Sequence, residues 1–581
     1  MYVEVVPNRS SRPAILLRES WREGGRVRKR TLANLSDWPA AKVQRLRAAL
    51  QQTRGGKAEE QRLDVHQLIC ERSAAHGHVA AVLGTAQKLG LRGLLSARSC
   101  PEREHVLAMV LGRIIDPCAK LALAQRLSEH SQTTTLALEL GLQGCNETQL
   151  YGALDWLVGQ QGRIEKQLAK RHMQEGTLAL YDVTSSYFEG RKCPLAKHGY
   201  SRDKHRDRPQ IVIGLLCNAV EIPVACEVFD GNTADPRSVK VQVEKLRERF
   251  GLKRVVLVGD RGMLTSARID EELKGAAGIE WISALTAPKL KQLCEEGSLQ
   301  VGLFDERKLG EILSPAYPGE RLIVCRNPLL TEERRRKRAL LLEALETKLE
   351  AIAVRTRASK RPLRGRENIA LKVGKVMAKS KVGKLIDWHI EDDDFRYERN
   401  QARIDQEAAL DGFYVLRTSL TPDEMNTADV VRSYKQLGSV ERAFRCLKTV
   451  DLHIRPIYHY KAERVKAHVL VCMLAYYVEW HMKQALAPLL FAEDDLCAAQ
   501  AERPCPVAKA AASDSAKLKA QRKKAEDGTP VCSFQSLLRQ LAAITRNWVR
   551  HPAAPDCDPF TLTTTPNPLQ QRALDLLAVT L

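Results

Sequence analysis

Two aspartates and a glutamate stand where a soluble chain seldom places carboxylates. Asp182 interrupts an apolar run, Leu178-Ala-Leu-Tyr-Asp-Val-Thr184, and Asp260 follows another, Val255-Val-Leu-Val-Gly-Asp-Arg-Gly262. Glu441 lies in a third stretch, 428–448, in which Tyr434, Glu441 and Lys448 recur seven residues apart. Seven residues is close to two helical turns, so a single helix would project the phenol, the carboxylate and the ammonium from one stripe. On a strand, Asp182 shares a face with Leu178, Leu180 and Thr184, where an uncompensated charge is costly. Carboxylates set this way suit metal-dependent chemistry on a phosphodiester. Two divalent cations about 4 Å apart activate the attacking oxygen and stabilise the leaving one. Mg²⁺ takes hard oxygen ligands and few of them from protein, so two or three carboxylates suffice, and Mn²⁺ is expected to substitute. Each residue also has a plainer reading. Asp182 would cap a turn or pair with an arginine, Asp260 would make an Asx-turn at a strand end, and Glu441 would pair with Arg445 one turn on. Val440, Ala443, Phe444 and Leu447 mark the Glu441 helix as a packed one, which weighs against the last of these.

Elements able to hold these groups are legible around them. Residues 176–289 carry strand candidates at 178–184, 211–217, 223–229, 254–258 and 281–285, with a helix at 237–250 between the third and fourth. That is a mixed α/β plan, with Asp260 just past a strand end, where open α/β sheets place their ligands. Residues 290–410 read as a basic insertion: 331–385 hold 17 Lys or Arg against 6 Glu, a local net of +11. Arg334-Arg-Arg-Lys337 there leads into an amphipathic helix from Leu340. Residues 411–495 then supply a return strand at 411–418 and the helix with Glu441. Upstream, 1–60 alternate as a small β-element with a basic hairpin tip between Arg22 and Arg30. Residues 61–175 turn helical, at 79–89, 104–115, 119–129 and 146–167, as a DNA-binding bundle would. In the C-terminal region, 496–581, the Ala/Lys-rich 496–531 read as a mobile connector ahead of one helix at 533–549.

Composition narrows the partners. A chain of 581 residues is long enough for several domains, and 44% hydrophobic residues are enough for real cores. Lys and Arg number 91 against 70 acidic residues, a net of +21, which points to a polyanion, nucleic acid being the commonest. The 15 cysteines include no C-x-x-C pair, so neither a zinc ribbon nor a thioredoxin-like site is supported. The most apolar long segment, 465–486, contains Lys466, His468, Glu479, His481 and Lys483, so it reads as a buried helix and no membrane partner is expected. A cytoplasmic, nucleoid-associated location follows from these points.

The combination resembles the DDE transposases of bacterial insertion sequences, in the group whose glutamate lies in a Tyr-x2-Arg-x3-Glu-x6-Lys signature. Tyr434, Glu441 and Lys448 match at the right intervals, while Leu437 stands at the arginine position. The subgroup pattern Tyr-x5-Val-Glu-x-Ala-Phe-Arg-x-Leu-Lys fits Tyr434 to Lys448 throughout. Asp182-Val-Thr-Ser, Gly199-Tyr-Ser-Arg-Asp-Lys with Arg208-Pro-Gln210, Phe229-Asp-Gly-Asn-Thr-Ala-Asp235 and Val258-Gly-Asp-Arg-Gly-Met263 carry the likeness further. Leu16-Leu-Arg-Glu-Ser-Trp-Arg-Glu-Gly-Gly25 extends it to the start of the chain.

The resemblance implies an α/β fold with an RNase H-like catalytic core interrupted by a large insertion before its last catalytic helix. It assigns Asp182, Asp260 and Glu441 to catalysis and to two Mg²⁺ ions, and Tyr434 and Lys448 to transposon-end DNA. Arg442 and Arg445 are the candidates to supply the phosphate contact that Leu437 lacks. His198 and His205 are treated as solvated or DNA-proximal. The expected protein is a transposase that binds double-stranded inverted-repeat ends, cleaves them and joins the 3′-hydroxyl to target DNA, as a homodimer on DNA. Its rivals are an RNase H-like nuclease without strand transfer and a transposase-derived DNA-binding protein without catalysis.

Overall fold

A computed structural model describes residues 1–7, 13–52, 67–128, 133–203, 205, 207–304, 308–495, 498–499, 505–508, 512–525, 527–552 and 558–581. The chain forms two compact units, residues 1–72 with 547–562, and residues 73–546 with 563–581.

In the first unit, β1 (Tyr2–Val6), β2 (Ala14–Glu23) and β3 (Arg26–Asn34) form an antiparallel meander. Its β2–β3 turn is Gly24-Gly25, both at positive φ, which a two-residue hairpin loop demands and only glycine adopts freely. The basic tip expected between Arg22 and Arg30 is this turn. A helix, Ala40–Gln52, follows, and β4 (Ile69–Ala75) was hidden by the helical pattern around it.

The second unit is built on an eight-stranded sheet. β5 (Thr177–Tyr187), β6 (Gln210–Asn218), β7 (Pro223–Asp230), β8 (Val255–Val258) and β9 (Ile279–Ala284) stand where the sequence places five strands. β10 (Leu309–Ile312), β11 (Arg321–Arg326) and β14 (Phe413–Thr418) complete it, in the order β10-β11-β14-β9-β8-β5-β6-β7. β5, β8 and β9 are mutually parallel and the other pairings antiparallel. Buried β6 is apolar on both faces, because the helices Glu147–His172 and Ala462–Ala485 lie against this side of the molecule. The second of these is the apolar segment read as a buried helix; no described helix is long and apolar enough to cross a membrane.

β10 and β11 lie inside the span given to the insertion, so the excursion from the sheet starts later than residue 290. It leaves at Asn327 and returns at Gly412, whose carbonyl accepts the Asn327 N–H at 2.9 Å. Between them are the helices Pro328–Thr356, Arg366–Met377 and Gln401–Ala409 and a hairpin, β12 (Ile386–Glu391) with β13 (Asp394–Arg399). They bury a core of their own around Leu342, Leu345, Leu349, Ile369, Val373 and Phe395. The acidic run 391–394 is the hairpin turn, with Asp392 at φ 50°.

Three expectations fail. The region 428–448 is not one helix: it divides at Gln436 into Thr427–Lys435 and Leu437–Arg445, then widens into a π-helical turn, Cys446–Val450. The connector at 496–531 contains a helix, Asp514–Arg522, capped by Ser513, whose Lys519 ammonium is buried against Ala487 O (2.9 Å) and paired with Asp494; parts of the connector lie outside the described residues. The helix at 533–549 ends at Ala542, and Thr545–Arg550 is β15, paired between β4 and β16 (Phe560–Thr563). Val549, Thr545 and Trp548 fit a strand better than a last helical turn.

Candidate active site

Sheet register aligns the two aspartates. Leu180 of β5 pairs with Val258 of parallel β8, so Asp182, midway along β5, and Asp260, just past the end of β8, are each two residues beyond a paired position. Asp182 is held by its own strand, its Oδ1 accepting the Val183 N–H at 2.7 Å. Asp260 follows β8 in a tight turn where Oδ1 accepts the N–H groups of Gly262 (2.9 Å) and Met263 (2.8 Å). The Asx-turn is therefore present, and it uses one carboxylate oxygen. Glu441 arrives from the helix Leu437–Arg445, whose Leu437, Val440, Ala443 and Phe444 are buried in the same core as β5.

The three carboxylates act on one another. Burial pushes the Asp182 carboxyl up to about 7; the Val183 N–H opposes this, Asp260 adds to it, Arg202 opposes and Glu441 adds. Tyr434 belongs to the same group: burial first, then Asp260, raises its phenol to about 12, with Glu441 and Asp182 adding and Arg261 opposing. Among the described residues, no Lys or Arg forms a salt bridge with Asp182, Asp260 or Glu441. The Glu441–Arg445 ion pair is accordingly absent, and Arg445 is exposed.

Lys448 and Arg442 are engaged elsewhere. Lys448 Nζ donates to Ser185 O (2.6 Å) and Thr184 Oγ1 (3.3 Å) and pairs with Asp203, fastening the π turn to β5. Arg442 pairs with buried Glu221 in the β6–β7 turn. His198 and His205 are exposed, the latter against the Tyr187 ring at 4.7 Å. Sequence reasoning missed Asp203, Arg202 and Glu221 as partners. The signal for the first two was present in the Gly199-to-Gln210 motif, whose glycine allows close backbone approach: a Cβ on Gly199 would stand 2.2 Å from Gly231 O. Lys448→Ala should strand a mostly buried Asp203 and cost roughly 3–5 kcal/mol in urea unfolding, partly recovered when Asp203→Asn is added. An unchanged unfolding midpoint in the single variant would show that the pair does not fasten this turn.

A second acidic cluster, Cys446, Asp451 and Glu479, is buried behind the π turn. Lys483 Nζ lies inside it, 2.6 Å from Asp451 Oδ2 and 2.5 Å from Glu479 Oε1. An ammonium already occupies the position a cation would need, so this cluster locks the turn to its neighbouring helix and is not a metal centre.

Two aspartates and a glutamate gathered on a mixed sheet, with no salt bridge to a described Lys or Arg, are a donor set of the kind that divalent-metal chemistry on phosphates uses. The chain belongs to the Transposase DDE domain family, whose model matches residues 174–478. A second model, the N-terminal domain of IS1634 family transposases, matches residues 3–62. The resemblance to insertion-sequence DDE transposases is thus borne out, and the protein is a transposase enzyme. The comparison with curated proteins gave no match. A solved piggyBac transposase synaptic complex with hairpin DNA is similar at 10% identity, over 80% of this chain and 76% of that chain, with a TM-score of 0.33. At that score the likeness adds nothing to the topology described above.

Proposed function

We propose that this transposase binds the inverted-repeat ends of an insertion sequence, cleaves them with Asp182, Asp260 and Glu441, and transfers the 3′-hydroxyl to target DNA. The observation that carries the reading is that three carboxylates act on one site while none of them forms a salt bridge with a Lys or Arg among the described residues, Arg202 acting on Asp182 only from a distance. Such a donor set fits hard divalent ions, two Mg²⁺ with Mn²⁺ as substitute, which when bound supply charge for the attacking and leaving oxygens. The chain's own part is positional. Val183 N–H, Gly262 N–H and Met263 N–H fix one oxygen of each aspartate. The buried helix face fixes Glu441, and the neutral Tyr434 phenol beside them offers a hydrogen bond to a phosphate. Lys448, held at its Asp203 anchor, and Arg442 and Arg445 on the outer side of the helix are assigned to the DNA backbone around the scissile phosphate.

The order β7-β6-β5-β8-β9 supports an RNase H-like core for residues 176–289 and 411–495. The domain plan proposed with it gives 1–60 to an N-terminal β-element, 61–175 to a helical DNA-binding region, 290–410 to the basic insertion and 496–581 to the linker and C-terminal helical region. Joining two ends requires two such sites, hence a homodimer on DNA. Incubation with linear DNA carrying the element's ends tests the reading. Mg²⁺-dependent joined products are expected; cleavage without joining would make the protein a nuclease, and binding without cleavage a non-catalytic descendant.

The insertion is assigned to the same DNA. Arg335, Arg336 and Lys337 are exposed on the helix Pro328–Thr356 while Arg338 is spent on Asp411. Log affinity is expected to fall linearly with log salt, by about 0.9 per phosphate neutralised. Replacing Arg334, Arg335, Arg336 and Lys337 by Gln should weaken binding and flatten that slope, by up to about 0.9 for each phosphate no longer neutralised. An unchanged slope would make this run a solvated helix face.

A further inference from the structure

Beyond the π turn, residues 452–460 are pinned at several points. Ile454 N–H donates to Leu447 O at 2.8 Å, and Ile454 O accepts from His468 Nε2 at 2.8 Å. Arg113 donates to His453 O at 3.2 Å, Gly190 N–H to Ile457 O at 3.1 Å, and Ile457 N–H to Glu189 Oε2 at 2.8 Å. Along this rigid segment side chains alternate. Ile457 is buried and His459 turns inward against Tyr151 and His468, while Tyr458 and Tyr460 project outward, 59% and 63% exposed. Two large rings held in water by a well-anchored backbone lose apolar burial with no compensation inside the chain.

Cations lie on the same side of the molecule, one of them against Tyr460. Lys192 Nζ lies 5.5 Å from the Tyr460 ring centre, beside exposed Arg191. The turn that carries both is close to the segment, since a Cβ on Gly190 would sit 3.3 Å from Tyr458 Cα. Tyr187, at the end of β5, is covered by the Arg455 guanidinium at 3.9 Å and flanked by Arg208 at 5.2 Å. Arg455 acts electrostatically on Lys448, which in turn bonds Thr184 and Ser185, so the patch continues from the carboxylate end of β5. Arg455 Nε, Ser201 Oγ and Asp203 Oδ2 are buried polar atoms with no hydrogen-bond partner among the described residues.

We propose that Tyr458 and Tyr460, with Lys192 and Arg455, form a stacking platform for unpaired DNA nucleotides leaving the cleavage site. Charge selects a nucleic acid, and exposed ring faces select bases that are out of the helix, because a duplex hides its base faces in its own stack. The platform rests on the proposed transposase reading of the carboxylate site. It adds a second, non-catalytic DNA subsite to it, one that prefers a single strand and carries no sequence code.

The test uses a short blunt duplex and the same duplex with a short thymidine tail containing one 2-aminopurine. The full-length protein should bind the tailed DNA about tenfold more tightly than the blunt DNA and quench the 2-aminopurine. The double variant Tyr458→Ala/Tyr460→Ala should lose that preference and the quenching, with blunt-duplex affinity within about twofold of the parent. Tyr458→Phe/Tyr460→Phe, which keeps the rings, should retain both. Both tyrosines are exposed, so the variants are expected to unfold at the parental midpoint. Equal affinity of the parent for blunt and tailed DNA would overturn the platform alone. So would a preference that survives the alanine variant, or a loss that extends equally to the blunt duplex. No binding to either DNA would overturn the DNA reading on which the platform rests.

Discussion

Asp182→Asn, Asp260→Asn and Glu441→Gln are each expected to lower Mg²⁺-dependent DNA cleavage by at least about 10³-fold, since a metal supplies several kcal/mol of charge stabilisation. Each substitution is nearly isosteric and removes only a charge. Val183 N–H still meets an oxygen at residue 182, and the turn at Gly262 and Met263 still finds an acceptor at residue 260. Folding and end binding should therefore stay close to the parent, because the cations that track phosphates are other residues. Gel-shift affinity and cleavage, measured on one DNA, separate the two effects. Parental cleavage by any one variant would remove that residue from the site. Loss of binding in step with cleavage would instead make the carboxylates structural.

Magnesium affinity should depend steeply on pH below neutrality. In an unfolded chain Asp182 would titrate near 3.8, whereas burial, with Asp260 and Glu441 adding to it, brings it to about 7 in the fold. The folded, metal-free protein thus holds this proton more tightly than the unfolded chain. The resulting stabilisation is complete below about pH 4 and is lost as pH rises towards about 7. It amounts to a few kcal/mol at most, less what residual solvent exposure of the group screens away. Because Mg²⁺ must displace the proton, its affinity should fall about tenfold per pH unit below about pH 7 and level off above. Added Mg²⁺ should restore stability on the alkaline side. Glu441→Gln removes one of the raising charges and should shift the levelling point downward. Calorimetric Mg²⁺ titration across this range reads the affinity and its levelling point, thermal unfolding with and without Mg²⁺ reads the stability, and a pH-independent affinity would place the ion away from Asp182.

The part of this site legible in sequence was the part set by short-range pattern. Five strands of the sheet announce themselves as apolar runs, and an aspartate inside one of them is conspicuous because its face should be apolar. β10 and β11 were not legible, since a four-residue strand and a six-residue one edged by Arg321 and Arg326 are too short to show a clear alternation. The seven-residue stripe was legible as spacing but not as geometry. The break at Gln436 and the π turn at Cys446–Val450 depend on what packs behind them, including the Asp451, Glu479 and Lys483 cluster. For the same reason Lys448 finds Asp203, 245 residues away in sequence, a pairing that no local pattern encodes. The plainer alternative for Glu441, an ion pair with Arg445 one turn on, rested on local spacing alone, and no such salt bridge forms among the described residues.

The most direct test of the central claim is an anomalous-scattering map of the protein bound to DNA in Mn²⁺. Peaks within about 2.3 Å of carboxylate oxygens of Asp182, Asp260 and Glu441, facing a DNA phosphate, are the predicted result. Mn²⁺ bound instead at Cys446, Asp451 and Glu479, or found nowhere near Asp182 and Asp260, would contradict it.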